Sequence, residues 1–337
     1  MIRGTFRMAA LAVLVFSAAG SGRFASAQQY EQEINARARI FPDVGRGVRA
    51  IKRDGAGRYY ILTAPGPAIG VYRADGTRVG QIPEASAKES AIVFGDDLDV
   101  DASGRVVVAD RGANAVKVFD PSGHLVLTIP VVSPTSVAAL PDNEVAVTSL
   151  KSAHLVTVYD PRGKLARQFG DFSDLAERAE LNQFLNVGRL ESDPAGHLYY
   201  AFSYLPEPTV RKYDRYGYAA FEISLTALEY QPEAQALRRE IFRQDQRSSP
   251  PSFKVVVNAV GVDMETQQIW VALGDQLLHF DRDGNRIDAF RTYTPDGGRL
   301  EADAILIEPS RLLLASDPLG IYEFARPDKK AGAPAHE

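Results

Sequence analysis

A short turn motif recurs along the chain and limits the folds open to it. In each copy an aromatic residue ends a strand-like run, an Asp follows, and a Gly closes the turn. Asp side chains bond turn amides and Gly accepts positive φ, so each copy predicts a β-hairpin. The clear copies are residues 119–123, 159–163, 213–217 and 280–284, with a variant at 72–76 and a degraded copy at Phe324.

The motif recurs at intervals of about 40 to 70 residues, which is a spacing typical of repeat architectures. Each copy follows two further strand-like runs and precedes a fourth. The runs are rich in the β-branched and aromatic residues that suit a pleated surface. The second copy shows the full set at residues 98–101, 105–109, 115–119 and 124–129. The sequence therefore predicts an all-β fold, a six-bladed β-propeller of four-stranded antiparallel blades.

The sixth blade has no outer strand of its own, because the chain ends shortly after Phe324. Residues 37–41 are similar to the fourth-strand run at residues 164–169. We predict that this N-terminal strand completes blade six. Such closure pairs an exposed sheet edge and joins the chain ends without a disulfide, and the chain contains no Cys.

The N-terminus has the pattern of a secretory signal peptide. Arg3 and Arg7 precede an apolar stretch at residues 8–19, and small residues follow at 25–27. We predict a signal peptide over residues 1–27, a propeller over 28–326 and a disordered tail over 327–337. The alternative is an uncut N-terminal anchor, and both predict export to the periplasm or the extracellular space.

The charge balance excludes a nucleic-acid partner. Removal of Arg3, Arg7 and Arg23 with the signal peptide takes the formal net charge from −5 to −8. An acidic surface offers no long-range attraction for phosphate backbones. No later segment is long and apolar enough to span a membrane, so we expect a soluble, monomeric mature protein.

Blades two and three resemble a known repeat. Residues 105–110, Arg-Val-Val-Val-Ala-Asp, follow a turn of the Asp-x-x-Gly type, and residues 116–120 are Val-Lys-Val-Phe-Asp. These segments resemble the NHL repeat of the six-bladed, TolB-like propellers, and the resemblance extends over nearly all of the mature chain. It implies a fold rather than a function, since such propellers include protein-binding scaffolds, sensor domains, amidating lyases and calcium-dependent lactonases.

Six positions align just before the innermost strands of the blades. We expect them to surround the entrance of the central channel and to form a binding site. Those with oxygen ligands, Asp96, Asn258 and Asp303, suit a hard cation such as calcium, whereas Arg49 adds positive charge to the same ring. The alternative is that polar side chains line a water-filled channel. The six positions are Arg49, Asp96, Thr135, Gly188, Asn258 and Asp303.

Two long links between blades, residues 170–187 and 224–254, should leave from the channel face. The second link, between blades four and five, has Pro232 in a predicted first turn and a helical pattern over residues 232–245. A smaller helix is predicted within residues 174–186. The longer helix could act as a lid or docking element, or could pack on the rim of the propeller. Its candidate residues are Leu237, Arg238, Ile241 and Phe242.

The residues favour a non-enzymatic propeller that binds a protein, peptide or glycan through its channel face and the 224–254 segment, with no cofactor. The alternative is a calcium-dependent lactonase or hydrolase, in which Asp96, Asn258 and Asp303 hold the cation. The ring has no histidine, so a general base would have to be a carboxylate. The absence of a histidine from the ring favours binding over catalysis.

Overall fold

The computed structural model describes residues 32–64, 66–83, 90–227, 230–247 and 250–327. The predicted signal peptide lies outside the described residues, and so does the predicted disordered tail except for Pro327. Within the described part, no helix has the length and apolar character needed to cross a membrane.

The described chain begins with two strands that pair far along the sequence, and then forms successive four-stranded sheets. The N-terminal strands are β1 (Gln32–Asn35) and β2 (Ala38–Ile40). Blade one contains β3 (Val48–Arg53), β4 (Tyr59–Thr63), β5 (Ile69–Tyr72) and β6 (Arg78–Ile82). Blade two contains β7 (Gly95–Val100), β8 (Val106–Asp110), β9 (Ala115–Phe119) and β10 (Leu125–Pro130). Blade three contains β11 (Pro134–Ala139), β12 (Val145–Ser149), β13 (Val156–Tyr159) and β14 (Leu165–Phe169).

The C-terminal half repeats this order, with two helices in the links. Helix α1 (Ala179–Leu185) precedes blade four, which contains β15 (Gly188–Ser192), β16 (Leu198–Phe202), β17 (Thr209–Tyr213) and β18 (Ala219–Ser224). Helix α2 (Gln231–Asp245) precedes blade five, which contains β19 (Ala259–Val262), β20 (Ile269–Leu273), β21 (Gln276–Phe280) and β22 (Arg286–Tyr293). Blade six contains β23 (Ala304–Ile307), β24 (Arg311–Ser316) and β25 (Gly320–Ala325). The predicted six-bladed, all-β architecture is confirmed.

The ring closes as the sequence predicts. Strand β2 pairs antiparallel with β25, so the N-terminal segment supplies the outer strand of blade six. Directly after it, the buried Phe41 ring packs between Tyr59 and Tyr72, with ring centres 5.2 and 5.5 Å away. This anchor joins the closing strand to blade one.

An additional strand on blade five was not expected. Strand β1 pairs in parallel with β22 and makes that sheet five-stranded. Its sequence, Gln-Glu-Ile-Asn, has one apolar residue and therefore no alternation for a sequence pattern to detect. The N-terminal segment thus contacts two neighbouring blades before it enters blade one.

The recurring turns have the predicted mechanism. In blade two, Asp120 Oδ1 accepts hydrogen bonds from the backbone N–H groups of Ser122 and His124, at 2.9 and 3.0 Å. Gly123 closes the turn at a φ of +86°, which L side chains rarely adopt. Asp160, Asp214 and Asp281 accept the same pair of bonds in their own blades. Local side-chain chemistry therefore sets the outer hairpin of blades two to five.

The apolar core is distributed between the blades. Each pair of neighbouring blades encloses one cluster of buried side chains, such as Leu62, Leu98 and Phe119 between blades one and two. A seventh cluster lies beneath the helices, where Leu181 and Leu185 of α1 meet Ile241 of α2. The blades pack face to face, and their innermost strands line the central channel.

Candidate functional site

The six aligned positions meet at one cavity, of about 300 Å³, at one end of the channel. Arg49, Asp96, Thr135, Gly188, Asn258 and Asp303 all line it. The structure therefore brings together every residue predicted for the channel mouth. That these residues bind a ligand remains a prediction.

β-bulges turn three of these side chains toward the cavity. The strand register shifts at Arg49 in β3, at Asp96 in β7 and at Thr135 in β11. A bulge adds an unpaired residue to one strand and redirects its side chain. Asn258 and Asp303 instead precede their strands, and their N–H groups still bond to Ala272 and Ala315. The repeat alignment located these positions, but nothing in the sequence indicated the bulges.

Residues that follow the second strand of a blade also line the cavity. Strand two runs antiparallel to strand one, so its end lies beside the start of strand one. This relation could have been used on the sequence to find Arg111, Leu150, Tyr204 and Asp317, which the sequence analysis missed. Arg189, next to Gly188, and Phe184 in α1 were missed as well.

Two of the cavity arginines are already engaged with the protein. Arg111 Nε lies 2.8 Å from Asp96 Oδ2, and its guanidinium is 5.0 Å from the centre of the Phe94 ring. Arg189 donates to the backbone oxygen of Asp96 at 3.3 Å. Burial raises the pKa of Asp96, although the positive charges of Arg111, Arg189 and Arg49 oppose the rise.

A second acidic group lies across the cavity. Asp303 Oδ2 accepts the backbone N–H of Asp317 at 2.8 Å, and Asp317 Oδ1 accepts that of Gly47 at 3.0 Å. Burial raises the pKa of Asp303, the Asp317 carboxylate adds to the rise, and the N–H bond opposes it. Each carboxylate keeps one oxygen with no hydrogen-bond donor among the described residues.

Arg49 differs from the other cavity arginines. Its side chain is exposed to the cavity, and no described residue forms a hydrogen bond or ion pair with its guanidinium. Its positive charge nevertheless opposes the rise that burial causes in the pKa of Asp96 and of Asp303. Arg49 is thus available to a ligand.

An aromatic pair forms another side of the cavity. The Phe184 and Tyr204 rings stack with centres 4.6 Å apart, and both side chains are half-buried. Both line the cavity, with Phe253 packed behind Phe184 at 6.1 Å. Aromatic faces of this kind suit the apolar side of a ring-shaped ligand.

Helix α2 holds α1 in place and contributes no described residue to the cavity lining. Asp245, at its C-terminus, accepts the backbone N–H groups of Glu177 and Arg178, just before α1, at 2.9 and 3.0 Å. Of the predicted rim residues, Ile241 is buried, Leu237 is half-buried and Arg238 pairs with Glu207 at 2.6 Å. Phe242 is 69% exposed, so it does not belong to the buried face that its spacing suggested. α2 therefore packs on the rim, and a docking role for its outer face remains a prediction.

A cluster of charged side chains lies beside a second, smaller pocket in the channel, which shares Arg49, Arg189 and Asp303 with the mouth cavity. Lys52 Nζ lies 2.7 and 2.6 Å from the two oxygens of Glu191 and 3.4 Å from Asp99. Burial alone would lower the pKa of Lys52, but the carboxylates of Asp99 and Glu191 hold it above its usual value. Above them, Asp97 accepts the Ser136 hydroxyl and lies 3.8 Å from Arg189. These contacts connect blades one to four across the channel axis.

The three predicted calcium ligands are each already engaged with protein groups, and calcium binding by them remains a prediction. Asp96 is paired with Arg111, Asn258 Oδ1 accepts the N–H of Gly274 at 3.0 Å, and Asp303 accepts that of Asp317. Calcium requires six to eight converging oxygens. The described residues contain no group of three or more His, Cys, Asp or Glu side chains that could hold a metal.

Comparison with known proteins agrees with the fold. No protein-family model matches the chain, and no curated protein matches its sequence. The NHL resemblance of blades two and three therefore stays a prediction. Solved structures do match: a gluconolactonase, XC5397, from Xanthomonas campestris has a TM-score of 0.56 at 18% identity and covers 85% of this chain and 88% of its own.

Two further structures have similar scores. A streptogramin B lyase matches with a TM-score of 0.53 at 11% identity, covering 84% of each chain. A virginiamycin B lyase from Staphylococcus aureus matches with a TM-score of 0.51 at 12% identity, covering 87% of this chain and 88% of its own. At these identities the likeness shows the fold alone. The chain is a six-bladed β-propeller with a cavity at one end of its channel.

Proposed function

We propose that this protein is a binding propeller that takes the end unit of a glycan into the cavity at its channel mouth. The observation that supports this is the convergence of all six blades on one small cavity with mixed polar lining. Fixed carboxylates, an amide and a free guanidinium face the same space as an aromatic stack. Ligand sites are typically cavities with a few convergent polar groups.

The size and polarity of the cavity favour a sugar over a protein surface or a peptide side chain. A volume of about 300 Å³ is at the small end of ligand cavities. Hydroxyl groups both donate and accept, so they suit the free oxygens of Asp303 and Asp317 together with the guanidinium of Arg49. A folded protein partner would instead require a broad, complementary surface.

Calorimetric titration of the purified protein with a panel of hexoses and hexuronates tests the proposal. We expect binding by members of the panel, and we expect Val187→Trp to weaken it roughly tenfold or more, because the indole would fill the cavity that Val187 lines. Val132→Trp is the matched control, since Val132 is 59% exposed and does not line the cavity. Equal affinities for the two variants would contradict the proposal, provided both unfold at the wild-type urea midpoint.

Hydrolysis at the same cavity is the second candidate function. The fold of the Xanthomonas gluconolactonase and the buried carboxyl groups of Asp96 and Asp303 favour it. Elemental analysis of purified protein and of Asp303→Ala, with a lactone-hydrolysis assay, separates the two functions. Stoichiometric calcium that is lost in Asp303→Ala together with activity would establish the enzyme. Because Asp96, Asn258 and Asp303 are already engaged with protein groups, we expect neither stoichiometric calcium nor lactone hydrolysis.

We further propose that this binding function acts outside the cytoplasm, because the N-terminus has the pattern of a secretory signal peptide. Arg3 and Arg7 ahead of the apolar stretch support export, with the mature chain beginning at Gln28. Intact-mass measurement of the protein from a periplasmic or culture fraction tests this. A mass that includes residues 1–27 would favour the uncut anchor.

A further inference from the structure

We infer that the ligand of the mouth cavity carries a carboxylate that pairs with Arg49, as the end unit of a uronic-acid glycan does. This inference rests on the proposed function and adds the chemical class of the sugar. It comes from the unequal engagement of the charged side chains around the cavity.

The arginines of the cavity divide into engaged and free. Arg111 pairs with Asp96 at 2.8 Å, and Arg189 bonds to the Asp96 backbone and faces Asp97 at 3.8 Å. Arg49 has no such partner among the described residues, although its side chain reaches the cavity. A guanidinium presents several N–H donors in a planar fork that matches both oxygens of a carboxylate. A ligand carboxylate would therefore meet a donor group that the protein has left unused.

The acidic side chains of the cavity are held too firmly by other groups to pair with Arg49 themselves. Asp303 and Asp317 are fixed by backbone N–H groups at 2.8 and 3.0 Å, and Asp96 is fixed by Arg111. No carboxylate of the described residues lies within 4 Å of the Arg49 guanidinium. A mobile anion from solution can approach it, whereas these fixed ones do not.

A second unused donor lies near the first. The described residues provide no hydrogen-bond partner for the Tyr204 hydroxyl, and burial raises its pKa, so the hydroxyl stays protonated at neutral pH. Tyr204 lines the same cavity as Arg49, Asp96, Arg111 and Arg189, and the charges of these four side chains act on its hydroxyl. Arg49 in blade one and Tyr204 in blade four thus present donors to the same space.

The remaining groups suit the neutral part of a uronate ring. The free oxygens of Asp303 and Asp317 can accept from ring hydroxyls, and the Phe184 and Tyr204 stack offers an apolar side for ring C–H groups. A neutral sugar would satisfy these acceptors but would offer Arg49 only an uncharged hydroxyl. A uronate satisfies the acceptors and also offers Arg49 a carboxylate.

Titration with matched pairs of sugars tests the inference. The probes are D-glucuronate and D-galacturonate, their neutral parents D-glucose and D-galactose, and the two uronate methyl esters. We expect at least one uronate to bind roughly tenfold or more tighter than its parent and its ester, because a charge-assisted bond is lost in both. Arg49→Met should remove that preference, so that the uronate and its neutral parent bind this variant with affinities within about twofold of each other.

Arg46→Met is the matched control, since Arg46 is exposed, lies three residues earlier and does not line the cavity. It should keep the preference for the uronate, and Arg49→Lys should keep part of it. If the parents bind as tightly as the uronates, or if Arg49→Met keeps the preference, the inference is wrong and the proposed function stands.

Two other outcomes would overturn the inference in different ways. If no sugar binds and Val187→Trp changes nothing, the proposed function fails and this inference fails with it. If trialanine binds but trialanine amide does not, with loss in Arg49→Met, the cavity recognises a peptide terminus and not a uronate.

Discussion

Lys52 illustrates how single residues hold the channel together. Its ammonium is shared between Glu191 and Asp99, and the three side chains come from the innermost strands of blades one, four and two. The side chains of Lys52 and Glu191 are only 12% and 13% exposed. A buried carboxylate that loses its cation keeps the cost of its desolvation.

We expect Lys52→Met to destabilise the protein by about 3 to 5 kcal/mol, because Glu191 and Asp99 would stay buried without their cation. Urea unfolding followed by circular dichroism measures the loss. The double variant Lys52→Met/Glu191→Gln should recover part of it, since it removes a buried carboxyl that would otherwise have to stay charged or take up a proton. A loss below about 1 kcal/mol in Lys52→Met would mean that water already screens the cluster.

Helix α2 shows, on the scale of an element, that adjacent residues can face opposite environments. Ile241 is 4% exposed and packs against α1, whereas Phe242 is 69% exposed. The two substitutions Ile241→Ala and Phe242→Ala therefore form a matched pair. We expect Ile241→Ala to lower the free energy of unfolding by about 2 to 4 kcal/mol and Phe242→Ala to change it by less than about 0.5 kcal/mol, as measured by urea unfolding.

A docking role for α2 would appear only in the second variant. If Phe242→Ala leaves stability unchanged but abolishes binding to a partner, the outer face of the helix is a contact surface. Equal destabilisation by both variants would contradict the packing described for the helix, because Phe242 would then have to be buried as well.

The N-terminal strands belong to the scale of the whole molecule, because they join its two ends. Three shortened chains test this role. A chain that begins at residue 31 keeps both strands, one that begins at residue 37 lacks β1, and one that begins at residue 42 lacks β1, β2 and Phe41. We expect a small decrease in Tm at the first step and a large one, with aggregation, at the second. The second step exposes the edge of β25 and removes Phe41 from between Tyr59 and Tyr72. Equal decreases at both steps would show that β2 has no special part in closing the ring.

The pH dependence of stability is also a property of the whole molecule, because two groups of carboxyls act in opposite directions. Hydrogen bonds in the turns hold the pKa of Asp75, Asp120 and Asp281 below the usual 3.8. Their contribution is present at neutral pH and is lost as the pH falls through their lowered values. Burial raises the pKa of Asp96, Asp97 and Asp303, so their folded forms bind protons more readily than the unfolded chain. Their unfavourable contribution at neutral pH is relieved as the pH falls.

We therefore expect the free energy of unfolding to rise as the pH falls from 7 toward 4, first through Glu191, whose pKa burial raises to about 7, and to fall steeply below about pH 4. Urea titrations between pH 3 and pH 7 measure both slopes. Asp303→Asn should reduce the rise without moving the acid limb, because it removes one carboxyl whose pKa burial raises. A monotonic increase up to pH 7 would contradict the raised pKa values.

The sequence alone determined the architecture, and the physical reason is that its signals are local. An Asp that accepts two N–H groups within four residues, followed by a Gly at positive φ, specifies a hairpin wherever it occurs. Four clear copies of this unit, with a variant and a degraded copy, predict the propeller, and a missing outer strand predicts closure by residues 37–41. Because strand starts are equivalent in every blade, the repeat also located Arg49, Asp96 and Asp303 at one channel mouth.

Only the tertiary structure decided which of these side chains is engaged and which is free. The partners of Asp96 and Asp303, the stack of Phe184 on Tyr204, and the pairing of β1 with β22 depend on how separate segments pack. The bulge that directs Arg49 into the cavity depends on strand register, and the outward direction of Phe242 depends on which face of α2 meets α1. A repeat pattern carries no information about such pairings, because each is a balance of packing and charge between residues that the repeat treats as equivalent.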